Sequence, residues 1–334
     1  MKKNALFRVD AGKVWGTSMG HIKRALLLSE HLTRKYDILF VMKDYPDGVE
    51  FVKKRGFKVR TTAIDDNSDQ TLMDLCREYK IDKLLIDLHT CPYIALFEYA
   101  RLEKIKTIVF DITGKFSQDA DVVINDSFVK QFTAYSGLSR RTKKYLGPKF
   151  FVMENSSKPA RMPKAIRNIM VTMGGSDPAG LTLKILRSMP EIFFRFNINV
   201  VLGPLFTEQK RVRKITDNLP SVKVYENPPD FLQLLSLQDI VVTAAGRTLY
   251  ECAFFGKTVI SVPSIEHEEK TSSEYSFLTG SIDIGAWNDR ESPARLSKAL
   301  NLYESDIGIR RGIFEKSRGL VDGLGIKRVL GIIR

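Results

Sequence analysis

Cysteine is scarce in this chain, which has three among 334 residues. Cys76, Cys91 and Cys252 are odd in number and lie far apart, so they form neither a disulfide framework nor the close spacing of a metal site. The chain also lacks an apolar run approaching the roughly 20 residues of a membrane span, and its start does not read as a signal peptide. We therefore expect reduced thiols, a cytoplasmic location and no stable membrane insertion.

Acidic residues are outnumbered by basic ones, 39 against 52, which leaves a net charge of +13. Such a balance favours anionic partners, including phosphates, and says nothing about the fold. The densest basic runs are Ser139–Lys144 and Gln209–Lys214, and neither has interleaved aromatic residues for base stacking. We interpret both runs as solvated faces and expect no nucleic-acid partner.

Short apolar runs alternate with amphipathic stretches at helical spacing, which predicts an α/β protein with parallel sheets. A polar, proline-containing stretch after residue 152 indicates a linker. We predict an N-terminal domain over 1–152, a linker over 153–167 and a C-terminal domain over 168–334. Two such lobes imply a central cleft, with ligands bound by the loops that follow strands. The predicted strands are Ala5–Val9, Asp37–Met42, Lys83–Asp87, Lys106–Asp111, Asp121–Ile124, Asn168–Thr172, Asn197–Leu202, Val222–Tyr225, Asp239–Thr243 and Thr258–Val262.

The loop after the first strand reads DAGKVWGTSMGHIKR and leads into a helix that begins near His21. Its glycines would let the backbone approach a ligand, and free N–H groups at the helix start can face an anion. His21 can accept a proton from water or a hydroxyl group, with Asp10 orienting the ring. The alternative is that His21 is only a polar residue in the first helical turn. The glycine spacing matches neither the dinucleotide fingerprint nor the P-loop.

In the second half, VTMGGSDPAG follows a predicted strand. Gly174, Gly175 and the Ser176 hydroxyl could cradle a diphosphate against the positive end of the next helix. The alternative is a helix cap made by Ser176 or Asp177.

A third loop, TAAGRTLYE, lies between another predicted strand and a helix. It brings Gly246, Arg247 and Thr248 to the helix start, with Glu251 one turn later. A carboxylate there can accept both hydroxyls of a ribose. The alternative is a surface glutamate on a helix.

Together, FRVD, GHIKR, IDLH, MGGSDP, AAGRTLYE and VDGLGIKR resemble the pseudaminic acid pathway hydrolases, which release UDP from a UDP-linked diacetamido-trideoxy sugar. The resemblance implies a GT-B fold, in which two Rossmann-like lobes face a central cleft. It further implies that His21 activates water, that the Gly174–Asp177 loop meets the diphosphate and that Glu251 holds the ribose. Gly20 and Arg24 would lie at the substrate. No metal or other cofactor is expected, and Arg24 and Arg247 are candidates to stabilise the departing diphosphate.

The chain departs from that family at two loops. His89 stands where the family usually has a tyrosine, and Glu266, His267 and Glu268 stand where an asparagine–glutamine pair is expected. We therefore place His89 and His267 in an altered sugar pocket. A metal site made by His21, His89 and His267 with Asp10 or Glu266 is an alternative that no tight ligand spacing supports.

Three functions fit these observations. The first is a UDP-sugar hydrolase with His21 as general base on water, and the second is a GT-B glycosyltransferase in which His21 deprotonates an acceptor hydroxyl group. The third is a sugar-nucleotide binding protein without catalysis. The sequence carries no signal for an oligomeric state.

Overall fold

The computed structural model describes residues 2–12, 19–89, 93–111, 119–130, 135, 137–154, 162–188 and 192–334. The chain divides into two compact units, one of Met1–Glu154 with Gly323–Arg334 and the other of Asn155–Asp322. Each unit contains one parallel β-sheet whose strands are linked by helices. The predicted α/β class is confirmed.

The first unit carries a seven-stranded sheet in the order β3-β2-β1-β4-β5-β6-β7. Its central strands are buried along almost their whole length, because helices cover both faces of a parallel sheet. The strands are β1 (Lys3–Val9), β2 (Tyr36–Lys43), β3 (Lys58–Thr62), β4 (Lys83–Asp87), β5 (Lys106–Phe110), β6 (Val122–Asn125) and β7 (Lys143–Leu146). The helices between them are α1 (Met19–Leu32), α2 (Pro46–Lys53), α3 (Asp69–Glu78) and α4 (Ala95–Leu102), and a short 3-10 helix covers Pro148–Phe150.

The second unit carries a six-stranded sheet in the order β10-β9-β8-β11-β12-β13. Its strands are β8 (Asn168–Thr172), β9 (Asn197–Leu202), β10 (Val222–Glu226), β11 (Ile240–Thr243), β12 (Thr258–Ser261) and β13 (Ile282–Asp283). The helices are α5 (Leu181–Ser188), α6 (Ile192–Arg195), α7 (Gln209–Thr216), α8 (Phe231–Ser236), α9 (Arg247–Phe255), α10 (Glu266–Thr279), α11 (Ser292–Ser305) and α12 (Ile307–Ser317).

The last helix, α13 (Gly325–Ile333), returns to the first unit. Its buried face includes Val329 and Ile333, and Gly325 lies so close to the Phe151 carbonyl that a Cβ there would sit 2.0 Å from the oxygen. Lys106 Nζ donates to the Ile332 carbonyl at 2.7 Å. The predicted C-terminal domain over 168–334 is therefore wrong at its end. Much of the predicted 153–167 linker falls on residues 155–161, outside the described residues.

Two of the three cysteines lie in the described part of the chain. Cys76 and Cys252 are buried and free, and burial raises the pKa of the Cys76 thiol to about 12. Cys91 lies outside the described residues. Among the helices that the structure describes, none is long and apolar enough to cross a membrane.

Candidate active site

Polar residues gather where β1, β4, β5 and β6 end. Val9 of β1 pairs with Asp87 of β4, and Asp87 pairs with Phe110 of β5. Asp126 follows β6, which pairs with β5. Because these strands are parallel, their carboxyl ends meet at one edge of the sheet, where α1 also begins.

Arg24 of α1 is the centre of this cluster, and its side chain is only 6% exposed. Its Nε and Nη2 donate to the two oxygens of Asp87, both at 2.7 Å, and Nη1 donates to Asp126 at 2.8 Å. The guanidinium also stacks 4.5 Å from the centre of the Phe110 ring. Burial disfavours the charged form of Arg24, but the two carboxylates outweigh it and raise its pKa.

Arg24 is predicted to lie at the substrate, and the structure places its guanidinium in a buried ion cluster. Three of its guanidinium N–H directions are taken by Asp87 and Asp126, and its side chain is buried. A bidentate guanidinium–carboxylate pair fixes both groups in one geometry. Arg24 therefore holds Asp87 in place, and its contact with a departing diphosphate stays a prediction.

His21 lies one turn before Arg24, and its Nδ1 is 2.6 Å from Asp87 Oδ1. Burial raises the pKa of Asp87, but the charges of Arg24 and His21 and their hydrogen bonds hold it well below its usual range. An ionised carboxylate can only accept, so Nδ1 must carry the proton of this hydrogen bond. In the neutral imidazole, Nε2 is then the nitrogen that can accept a proton. The arrangement matches a histidine base oriented by a buried carboxylate.

Asp10 does not orient His21 by hydrogen bonding, contrary to the prediction. Its carboxylate receives both Nη groups of Arg8, at 2.5 and 2.9 Å, and the Lys43 backbone N–H at 2.8 Å. Arg8 is 1% exposed and also donates to the Tyr93 hydroxyl at 2.9 Å. Since Arg8 stands two residues earlier on β1, its side chain points to the same face of the strand. Asp10 thus ties β1 to β2 at the start of the loop.

The beginning of the first loop is held by close backbone packing. A Cβ at Gly48 of α2 would lie 1.8 Å from the Ala11 carbonyl oxygen, so only glycine fits there. A Cβ at Gly12 would lie 2.8 Å from Tyr45 Cβ. Residues 13–18 of this loop lie outside the described residues.

Gly20 and His89 were both predicted at the substrate. Gly20 is the second residue of α1 and precedes His21. His89 follows β4 by two residues and is exposed. Partial desolvation of its ring, and then the charge of His21, lower the pKa of His89. His21 and His89 thus both lie at this edge of the sheet, one at the start of α1 and the other after β4.

In the second unit, the two predicted nucleotide loops follow neighbouring strands. Thr172, the last residue of β8, pairs with Thr243, the last residue of β11. The loops that contain Gly174–Ser176 and Ala244–Gly246 therefore start side by side. Gly174 has φ +75°, and Gly203 lies so close to the Gly174 and Gly175 carbonyls that a Cβ would come within 2.4 Å of both.

Asp177, not Ser176, caps α5. Its carboxylate accepts the N–H groups of Leu181 and Thr182, both at 2.8 Å, and the residue is 8% exposed. Burial raises the pKa of Asp177 and these hydrogen bonds partly oppose the rise. The helix-cap alternative is thus correct for Asp177.

Replacing Asp177 with alanine is expected to reduce the free energy of unfolding by about 0.5–2 kcal/mol, because two N–H groups at the start of α5 lose their acceptor. Urea unfolding monitored by circular dichroism measures the loss. Ser176→Ala is the matched control and is expected to unfold at nearly the wild-type urea concentration. Equal losses in both variants would contradict the assignment of the cap.

The loop after β11 has a different helix start. Gly246 is the N-cap of α9 and provides no side-chain cap, while Arg247, Thr248 and Glu251 lie in the first two turns. Thr248 is buried, and Arg247 and Glu251 are half-buried.

Glu268 of α10 is a residue to which the sequence analysis assigns no role. It is 8% exposed and anchors the loop that follows β12. Its carboxylate accepts the Ser264 N–H at 2.9 Å and the Ser264 hydroxyl at 2.6 Å. A Cβ at Gly246 would lie 3.2 Å from Glu268 Oε1. Burial raises the pKa of Glu268. Hydrogen bonds from Ser264 and from the backbone of Ala245 and Ile265 partly oppose this rise. His267 precedes it on α10 and is half-buried.

The described residues contain no group of three or more histidine, cysteine, aspartate or glutamate side chains arranged to hold a metal ion. What the first unit offers is a histidine whose ring is fixed by a buried carboxylate. Such a pair can take a proton from an O–H group and later return it. The missed participants, Arg8, Asp87 and Asp126, each stand at or next to the end of an apolar run.

Comparisons with known proteins agree on the fold. No family model matches the chain. It is 27% identical to the spore coat polysaccharide biosynthesis protein SpsG of Bacillus subtilis, over 95% of this chain and 94% of SpsG. Among solved structures, MurG of Acinetobacter baumannii matches with a TM-score of 0.69 and 16% identity, covering 99% of both chains. The UDP-GlcNAc 2-epimerase of Neisseria meningitidis, bound to UDP-GlcNAc, matches with a TM-score of 0.63 and 14% identity over 100% of this chain and 99% of that one. The predicted GT-B fold with two Rossmann-like lobes is confirmed.

Proposed function

We propose that this chain is a nucleotide-sugar enzyme in which His21 acts as the general base on an O–H nucleophile. The observation that carries the proposal is the 2.6 Å hydrogen bond from His21 Nδ1 to the buried, ionised Asp87. It fixes the ring and the tautomer, and it leaves Nε2 as the proton acceptor. As Nε2 takes the proton, the nucleophile's oxygen bonds to the anomeric carbon, and the bond from that carbon to the phosphate oxygen breaks with its electron pair leaving on the diphosphate.

The nucleotide in this proposal is UDP, bound by the second unit. Two solved structures of the same fold are described as complexes with UDP or UDP-GlcNAc. The loops containing Gly174–Ser176 and Gly246–Thr248 would hold the diphosphate, and Glu251 the ribose. Asp177 already accepts two N–H groups at the start of α5, whereas Gly246 brings no side-chain cap to the start of α9.

We propose a hydroxyl acceptor as the nucleophile, which makes the enzyme a glycosyltransferase. SpsG, which aligns over nearly the whole chain, is described as a polysaccharide biosynthesis protein, and several structures of the same fold are named as glycosyltransferases. Hydrolysis is the second candidate, since the motifs from GHIKR to AAGRTLYE resemble a UDP-sugar hydrolase family. His89 and His267 would shape the sugar pocket in either case.

One assay separates these reactions. The protein is incubated with a panel of UDP-sugars, with and without a mixture of sugar and polyol acceptors, and UDP and sugar products are measured by mass spectrometry. UDP release that requires an acceptor, together with a glycosylated product, is expected for the transferase. Equal release without any acceptor would identify a hydrolase. If no UDP-sugar is bound or consumed under any condition, the proposal is wrong.

A further inference from the structure

A basic cavity of about 570 Å³ lies at the amino-terminal edge of the first sheet. β5 and β7 begin there with Lys106 and Lys143, and the segments that lead into these strands supply further cations. β5 runs from this cavity to Phe110, which stacks on Arg24, so the cavity and the ion cluster are separated by the length of one strand, about 13 Å. The charged residues that line the basic cavity are Arg101, Lys104, Lys106, Asp121, Arg141 and Lys143.

Positive charge in the basic cavity exceeds negative charge. Asp121 is the single acidic residue among the described residues that line it, and its carboxylate accepts the Thr107 N–H at 2.8 Å and the Thr107 hydroxyl at 3.0 Å. Arg101 makes one loose, exposed ion pair with Glu98 at 3.6 Å. Five cationic side chains therefore surround a space with one carboxylate, which is itself turned to the sheet.

The pKa of Lys106 reflects the same excess of positive charge in the basic cavity. Burial and then the charges of Lys83 and Lys143 lower the pKa of Lys106, which donates to the Ile332 carbonyl. Since like charges raise each other's energy, an anion placed between these groups would be attracted by all of them. Lysine and arginine side chains bind phosphate oxygens through charge-assisted hydrogen bonds.

We propose that the basic cavity binds a phosphate-bearing anion, at a site separate from the one that contains His21. The volume lies in the range of small-ligand pockets, and the lining supplies five cations from two separate segments of the chain, residues 101–106 and 141–143. The basic run Ser139–Lys144 thus contributes Arg141 and Lys143 to a shaped site instead of forming only a solvated face.

The test uses inorganic pyrophosphate as the probe. Isothermal titration calorimetry is performed on the wild type and on the double variant Arg141→Glu with Lys143→Glu, whose exposed side chains can be replaced without disturbing the core. We expect salt-dependent binding to the wild type and a loss of about tenfold or more in the variant. Lys53→Glu with Lys58→Glu is the matched control, because it makes the same change in net charge beside β3, at the other end of the sheet.

Pyrophosphate could also occupy the nucleotide site, so a local readout accompanies the titration. Lysine acetylation followed by mass spectrometry is expected to show that pyrophosphate protects Lys104 and Lys143 and leaves Lys53 and Lys58 reactive. The proposal is overturned if the wild type does not bind pyrophosphate, if the control variant loses as much affinity as the cavity variant, or if protection does not include Lys104 and Lys143.

The phosphate group could belong to a soluble molecule or to a lipid headgroup. Co-sedimentation with phosphatidylglycerol vesicles, compared with phosphatidylcholine vesicles, separates the two sources. Sedimentation that pyrophosphate reverses, and that the Arg141→Glu with Lys143→Glu variant lacks, identifies a headgroup. Pyrophosphate binding without sedimentation identifies a soluble ligand, and both results support the site.

Discussion

An Arg24→Met variant is expected to lose about 3–5 kcal/mol of the free energy of unfolding. Methionine fills a similar volume but removes the cation that Asp87 and Asp126 share in the interior. Both carboxylates would then be buried without their main partner, which is far more costly than losing an exposed ion pair. Urea denaturation at neutral pH measures the loss.

The effect of Arg24→Met should depend on pH. In the wild type the pKa of Asp87 is lower in the folded than in the unfolded chain. Its ionised form therefore stabilises the fold above the ordinary carboxyl pKa of about 3.9, and this contribution is lost only as the pH falls through the lower folded value. In the variant, the buried carboxylate can take up a proton and relieve its desolvation. The difference between variant and wild type should thus be largest at neutral pH and shrink towards about pH 4.

Arg60→Met provides the control, because Arg60 forms an exposed ion pair with Glu78 at 3.0 Å. We expect this variant to unfold at nearly the wild-type urea concentration. Adding Asp87→Asn to Arg24→Met should recover part of the lost stability, since it removes one unpaired charge. If Arg24→Met and Arg60→Met lose the same amount, the buried ion cluster does not have the role described.

The sequence predicts the buried strands and the edge strand β10, and it misses the edge strands β3, β7 and β13. β4 and β8 are apolar runs because helices cover both of their faces. β3 reads KVRTT and β7 reads KKYL, and neither has a buried residue, so no apolar run marks them. They lie at the two ends of the sheet, where one side of each strand is unpaired. The return of α13 to the first unit was missed because its apolar stripe does not say which sheet it covers.

In the candidate site, too, one part was predicted from the sequence and another part was missed. The loop with His21 was found because glycines and a helix start leave a local pattern in the sequence. The carboxylate that orients His21 was not, because Asp87 is 66 residues away and reaches it only through the pairing of β1 with β4. Asp10 is nearer along the chain, but Arg8 stands on the same face of its strand and takes its carboxylate. Proximity in sequence therefore suggested a partner that strand geometry excludes.

Turnover by a His21→Ala variant is expected to fall by about 10²–10⁴-fold, with little change in affinity for UDP. In the proposed reaction His21 Nε2 takes the proton of the nucleophile, whereas UDP is bound by loops of the second unit. Asp87 keeps both hydrogen bonds from Arg24 when the imidazole is removed, so the buried carboxylate retains its main partner. The rate of UDP release from the substrate identified in the assay above, together with calorimetric titration of UDP, measures both quantities.

Glu251→Ala is the contrasting variant, because this carboxylate is proposed to hold the ribose. It should weaken UDP binding by about tenfold or more through the loss of charged hydrogen bonds, and reduce the maximal rate much less. Free imidazole should restore part of the activity of His21→Ala if the missing function is that of a base, and none if the histidine only supports the start of α1. A His21→Ala enzyme with the wild-type rate would remove His21 from the chemistry, whatever UDP binding shows.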